Sequence, residues 1–221
     1  MQGRNFWRSA TVWTALALAG IPAALAAPLP PPAADILAAS VKGPQTAVFA
    51  GGCFWGVEAV FRHVKGVTRA VSGYAGGMVV KPTYEQVGTG KTGHAEAVEV
   101  TYDPAKVSYG QLLAVFFSVA HDPTQLDRQG PDHGPQYRSA IFYVNDDQKR
   151  VAEAYVRQLD QAKVFGSPIV TQVAKLPAFW PAEDYHQNYL ALHPTQPYIV
   201  YNDLPKLGAL QKEWPQLYAK Q

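Results

Sequence analysis

Gly51-Gly52-Cys53-Phe54-Trp55-Gly56 holds the single cysteine of a 221-residue chain. It stands between a short apolar strand pattern, Val48-Phe49-Ala50, and an apolar helical one. A lone cysteine is commonly a small buried hydrophobe, but three local features here point to chemistry. The two preceding glycines let backbone or ligand approach closely. A helix starting at Phe54 sets the sulfur at its N-terminus, where free N–H groups and the helix dipole favour a thiolate. Two large aromatics follow and give the thiol an apolar wall. This is the setting of a nucleophile.

The elements that position this cysteine begin only after a different kind of segment. Arg4 and Arg8 form a basic start, an apolar run extends from about Val12 to Leu25, and Ala24-Leu25-Ala26 is a small-x-small cleavage pattern. Residues 1–26 therefore read as a secretory signal peptide, cut after Ala26, in an exported (periplasmic or secreted) protein with no stable membrane insertion after processing. The run is short for a membrane span, which makes a retained anchor the weaker reading. The chain has 19 Lys+Arg and 17 Asp+Glu, and losing the two arginines of the signal leaves 17 of each. A neutral mature chain gives no reason to expect a nucleic-acid partner. Outside the cytosol an unpaired thiol is exposed to oxidation, which sharpens the case that it is used.

Residues 27–45, with Pro28, Pro30, Pro31, Pro32 and Pro44, read as an Ala/Pro-rich extended tether, and 46–221 as one domain with no internal repeat. Thr46–Ala50 reads as a strand, Cys53–His63 as a helix and Val67–Tyr74 as a second strand. Ala95–Tyr102 alternates as a third strand. Ser108 and Gln111 form a capping box opening a helix through Val119, and Ser139–Val144 is a fourth strand. The order β-α-β-β-α-β is that of a ferredoxin-like, split β-α-β, two-layer α+β sandwich. Beyond it are expected a helix from Asp146 to Lys163, a strand near Ile169–Val173, a helix near Glu183–Leu192, and an irregular proline-bearing tail from His193. In the third strand Glu96, Val98, Val100 and Tyr102 share the apolar face, whereas Glu99 points to the other. A carboxyl among apolar neighbours with no cation has a raised pKa, as a general acid requires.

Three further segments concentrate polar residues in Gly/Pro-rich surroundings: Lys91–Val98 with Gly93-His94-Ala95-Glu96-Ala97-Val98, Asp132–Ser139 with Gln136-Tyr137-Arg138-Ser139, and Tyr185–Leu190. Together with the cysteine motif, in this order and spacing, they make the chain resemble peptide methionine sulfoxide reductase A from about Val48 to Leu192. The resemblance implies an elaborated ferredoxin-like fold and reduction of methionine S-sulfoxide, free or in proteins, to methionine. By motif it assigns Cys53 as nucleophile, Glu96 as acid, Tyr84 and Tyr137 as hydrogen-bond partners of the sulfoxide oxygen, and Asp132 as completing the polar network. Phe54 and Trp55 suit an S-methyl group, which packs well on aromatic rings. Attack leaves a cysteine sulfenic acid that a thiol must reduce.

One departure is plain. Most members of this family carry further cysteines near the C-terminus that resolve the sulfenic acid as a disulfide, and Pro194–Gln221 has none. Regeneration then requires an external thiol, a thioredoxin-like protein or a small molecule. No cofactor is implied, and the enzyme is expected to be a monomer. The lone cysteine and scattered histidines show no zinc spacing, so His94, His133 and His186 read as structural. Gly90-Lys91-Thr92 imitates a phosphate loop, but the glycine that motif needs earlier falls at Glu85. The rival readings are a thiol peroxidase using Cys53 and a non-enzymatic periplasmic peptide-binding protein.

Overall fold

The computed structural model describes residues 29–220; the expected signal peptide and its cleavage site lie outside them. The chain runs β1 (Gln45–Gly51), α1 (Phe54–Arg62), β2 (Val67–Ala75), α2 (Tyr84–Gly88), β3 (Ala95–Tyr102), α3 (Tyr109–Val115), β4 (Arg128–Gln129), β5 (Asp132–His133), β6 (Ser139–Tyr143), α4 (Asp146–Ala162), β7 (Gln172–Lys175), β8 (Phe179–Pro181), α5 (Tyr189–Leu192) and α6 (Leu204–Glu213). The main sheet has the order β7-β6-β1-β3-β2-β8. Its middle, β6-β1-β3-β2, is antiparallel throughout and is the ferredoxin-like sheet of the β-α-β-β-α-β unit. To it β7 adds in parallel beside β6, and β8 adds antiparallel beside β2. The fold is α+β, as the order of elements requires.

Amphipathic patterns place the layers. Helix α1 buries Phe54, Val57, Val60 and Phe61 against the sheet. Strand β3 sends Val98, Val100 and Tyr102 into the same large core, while Ala95 and Ala97 pack into a smaller cluster on the opposite face. The alternation read from the sequence is thus the one the strand adopts, with Glu96 buried and Glu99 only half-buried. Ser108 and Gln111 form the expected capping box at α3, and the Asn145 side chain accepts the Gln148 N–H at the start of α4.

Several elements differ from the sequence expectation. The helix expected through Val119 is α-helical only to Val115 and widens into a π-helical turn over Phe116–Ala120. The helix expected at Glu183–Leu192 is two short turns, Asp184–His186 and α5, because Asn188 between them is left-handed at φ 54°. A left-handed residue ends a helix, and asparagine tolerates that conformation. The tail is more regular than its prolines imply: a π-helical turn, Ile199–Asp203, runs into α6, and Pro205 falls in the first turn, where no intrahelical N–H is required. Strand β8 was not expected, since Pro181 ends a run too short to show alternation. In the Ala/Pro-rich segment, Ala33 N–H donates to Gln158, Tyr155 and Gln158 donate to the carbonyls of Pro30 and Pro31, and Asp35 accepts from Ser108 and from Gly110 N–H. From Leu29 onward that segment lies along α3 and α4.

Candidate active site

Cys53 is the N-cap of α1, at the point where β1 turns into the helix. The turn is made by Gly52 at φ 88°, and its missing side chain is filled by this protein: a Cβ there would lie 2.5 Å from Gln129. A Cβ on Gly51 would lie 3.0 Å from the Phe116 ring and 3.1 Å from His121. The glycines thus admit the chain's own neighbours rather than a ligand. His121 behind them is held neutral, its pKa pushed down by burial to about 4, and is hydrogen-bonded to the Phe116 carbonyl and to Ser139.

Glu96, at the start of β3, meets the same helix start: Phe54 N–H donates to its Oε2 at 3.0 Å. The carboxyl is 3% exposed. Burial, and then the charges of Asp132 and Asp203, push its pKa up to about 8, against the opposing pull of the Phe54 N–H. At neutral pH it is mostly a neutral acid. The thiol does not behave as its place on the helix leads one to expect. Cys53 is 8% exposed, and burial, then Glu96 and Asp203, raise its pKa well above the ordinary value. The Trp55 N–H and Lys206 favour the thiolate but do not prevail. In the free protein the sulfur is a thiol.

Around this pair stands an aromatic wall. The indole of Trp55 stacks on Tyr189 at 3.8 Å, presents its face to the edge of Tyr198 at 5.9 Å, and donates from Nε1 to His186 Nδ1 at 3.1 Å. The Phe54 ring lies 5.1 Å from His186 and 6.4 Å from Tyr84, and Tyr84 lies 4.3 Å from His186. The loop carrying His186 and Tyr189 is tied down by a buried carboxylate of α1: Glu58 accepts Asn188 N–H at 3.0 Å and the Ser72 hydroxyl at 2.8 Å.

The polar side is assembled from three loops. Tyr84 opens α2, where Thr83 and Gln86 make a capping box and Glu183 accepts the Tyr84 N–H. Asp132 lies on the β4–β5 ribbon and accepts a short hydrogen bond from the Tyr198 hydroxyl. Tyr137 ends a 3₁₀ turn leading to β6. Burial, then the charges of Glu96, Cys53 and Asp132, raise Tyr84 to about 12. Burial, then Glu96, Tyr84, Asp132 and Cys53, raise Tyr137 as well. Both hydroxyls therefore stay protonated, as donors.

All seven residues singled out in the sequence, Cys53, Phe54, Trp55, Tyr84, Glu96, Asp132 and Tyr137, come together at the start of α1. Sequence reasoning missed His186 as part of the wall, and it missed Glu58, Glu183, Tyr198, Asp203 and Lys206. The Thr83-x-x-Gln86 box was legible and could have placed Tyr84 at a helix start. His94 is structural: its ring accepts Gly77 N–H and bonds the Val79 carbonyl.

A thiol beside a neutral acid, with hydroxyl donors and an apolar wall, is equipped for two-electron chemistry on an electrophile carrying a polar oxygen, which is cysteine-based oxidoreductase chemistry. Comparison with known proteins gives the family. The family model for peptide methionine sulfoxide reductase matches residues 45–218. The peptide methionine sulfoxide reductase MsrA 2 of Mesorhizobium japonicum is 62% identical over 181 residues, 82% of this chain and 93% of that protein. The MsrA of Thermus thermophilus is 51% identical, covering 78% of this chain and 97% of its own. Among solved structures, methionine sulfoxide reductase A of Corynebacterium diphtheriae matches with TM-score 0.62 and 37% identity, over 71% of this chain and 78% of that one. Reduced Mxr1 of Saccharomyces cerevisiae matches with TM-score 0.65 and 29% identity, over 80% of this chain and 93% of that one. The chain belongs to the peptide methionine sulfoxide reductase A family, and its activity is the thiol-dependent reduction of methionine sulfoxide. The rival readings, a thiol peroxidase and a peptide-binding protein, find no support in these likenesses.

Proposed function

We propose that Cys53 is the sulfur that takes the oxygen, that Glu96 is the acid, and that an external thiol completes the cycle for an S-sulfoxide substrate, free or in proteins. The S-methyl group packs on Phe54 and Trp55, and the sulfoxide oxygen accepts from the Tyr84 and Tyr137 hydroxyls, with Asp132 completing the polar rim. With Oε2 of Glu96 taken by Phe54 N–H, the acid proton is on Oε1, free to be given. Cys53 Sγ attacks the sulfoxide sulfur as the sulfoxide oxygen takes the Glu96 proton, and the thiol proton returns to Glu96; the hydroxyl then passes to Sγ as the new S–S bond breaks, and methionine leaves. The sulfoxide is reduced by two electrons, and the cysteine is oxidised by two to Cys–S–OH. One external thiol then displaces water to give a mixed disulfide, and a second releases Cys53 as a thiol and leaves as a disulfide. The observation that carries this reading is the meeting of the single thiol with a buried neutral carboxyl at the first turn of α1.

Regeneration within the chain has no second thiol to use, since the 221 residues contain one cysteine. An external thiol, thioredoxin-like or small, fits that composition. Export fits Arg4, Arg8, the apolar run and Ala24-Leu25-Ala26, and a monomer released from the membrane fits it too. Among the described residues no helix is long and apolar enough to cross a membrane. The reading is tested with C53S, whose hydroxyl is a far poorer nucleophile at neutral pH. The expected result is loss of sulfoxide reduction with the fold intact by circular dichroism. Retention of a tenth of the activity overturns the assignment.

A further inference from the structure

The C-terminal segment brings a buried ion pair under the catalytic turn. Asp203 is 0% exposed. Its Oδ1 accepts from Lys206 Nζ at 3.1 Å, whereas its Oδ2 is buried with no hydrogen-bond partner. The pair lies against Gly56: a Cβ there would be 2.1 Å from Asp203 Oδ1 and 2.8 Å from Lys206 Nζ. Gly56 is three residues past Cys53 in the first turn of α1, and residues at that spacing are neighbours on one helix face. Only a residue without a side chain leaves room for a carboxylate there. A helix start already attracts anions, so a second negative charge at this spot competes with a thiolate for the same field. Leaving one oxygen of a buried carboxylate unpaired is costly. A merely structural aspartate has no need of that arrangement.

We propose that Asp203, held by Lys206 against Gly56, is a positioning residue that keeps Cys53 of the free enzyme in its thiol form. The inference rests on Cys53 being the reacting sulfur. The groups facing that sulfur are Glu96 from β3, Tyr84 from α2, Tyr137 from the turn before β6, and Tyr198, Asp203 and Lys206 from the C-terminal segment, with Asp132 of β5 acting on Glu96 and on the three tyrosines. Of the two partners, Asp203 acts more strongly on the thiol than Lys206 does, and in the opposite direction. The other carboxyl that opposes the thiolate, Glu96, is mostly neutral at pH 7; burial raises the pKa of Asp203 too, but the Lys206 ammonium at 3.1 Å favours its charged form. The result suits a lone thiol. A thiolate attacks hydrogen peroxide, giving Cys–S–OH and a hydroxide that is protonated to water, and an enzyme whose only cysteine stays a thiol at rest resists that drain.

The test is the rate of Cys53 alkylation by iodoacetamide from pH 6.5 to 9.5, in wild type, in D203N and in D203N/K206M. Lowering a thiol pKa by one unit raises its thiolate fraction about tenfold and lowers its nucleophilicity about threefold, a net gain of about threefold per unit below the pKa. D203N should alkylate at least about threefold faster than wild type at pH 7.5, and faster at every pH of that range. It should form sulfenic acid with hydrogen peroxide faster by a similar factor. D203N/K206M removes the cation as well and should alkylate more slowly than D203N but still faster than wild type, because Asp203 outweighs Lys206 at the thiol. Should D203N prove too unstable to purify, the double variant, with no unpaired charge, still tests the idea by alkylating faster than wild type. Unchanged or slower alkylation in whichever variant folds overturns the proposal. Alkylation does not depend on sulfoxide turnover, so that result would leave the assignment of Cys53 standing, whereas an active C53S would remove the basis for both.

Discussion

Replacing Glu96 by glutamine should slow the enzyme and stabilise the protein, and the two effects have one cause. The carboxyl is raised from an ordinary value of 4.5 to about 8. Native Glu96 therefore holds its proton more tightly than the unfolded chain does. The cost to stability is absent below about pH 4.5, grows as pH rises, and is complete above about pH 8, where it amounts to about 5 kcal/mol. Glutamine can keep the acceptor for Phe54 N–H and still donate to an oxygen, but it cannot transfer a proton. The stability gain of E96Q over wild type should thus increase by about 2.5 kcal/mol between pH 6 and pH 8.5. That difference cancels any constant offset from the amide. Urea unfolding at the two pH values measures it. In single-turnover assays with limiting sulfoxide, E96Q should lose about 10²–10⁴ in rate, the usual range for a general acid. Wild type should show an alkaline decline near pH 8 that the variant lacks. E99Q, on the other face of β3, should change neither quantity. A pH-independent stability difference between wild type and E96Q, or equal small rate effects of E96Q and E99Q, would refute the reasoning.

G52A should cost about 2–4 kcal/mol in urea unfolding, because the added methyl meets Gln129 and forces a left-handed residue at φ 88°; a cost below about 0.5 kcal/mol would contradict the packing described. N-terminal sequencing of the processed protein should begin at Ala27, following the small residues Ala24 and Ala26; a start at Met1 in a membrane fraction would favour an anchor.

What the sequence made legible was periodic or punctuated. The face of β3 carrying Glu96 follows from strict alternation, α3 from its capping box, and the cysteine turn from two glycines before an apolar helical run. The four-strand core follows from the order of those elements. What stayed hidden depends on contacts distant in the chain. Nothing near Asn188 shows that Glu58, from α1, holds its N–H and so divides the expected helix. Nothing near Pro197 or Pro205 shows that the tail turns helical and sends Tyr198 to Asp132 and Asp203 to Gly56. The state of the thiol was misjudged for the same reason. The local signal, a helix N-terminus, favours a thiolate, whereas burial and two carboxyls brought from β3 and the C-terminal segment outweigh it.

The central claim is that Cys53 receives the oxygen of methionine sulfoxide and that the chain cannot clear it alone. It is tested most directly by intact-mass and peptide mass spectrometry after one treatment of the reduced protein with a methionine sulfoxide mixture, without reductant and with dimedone as trap. The account predicts about one equivalent of methionine released, then arrest, with the dimedone adduct on Cys53 and renewed turnover once a thiol is added. Methionine released catalytically without reductant, or released with Cys53 unmodified, would contradict it.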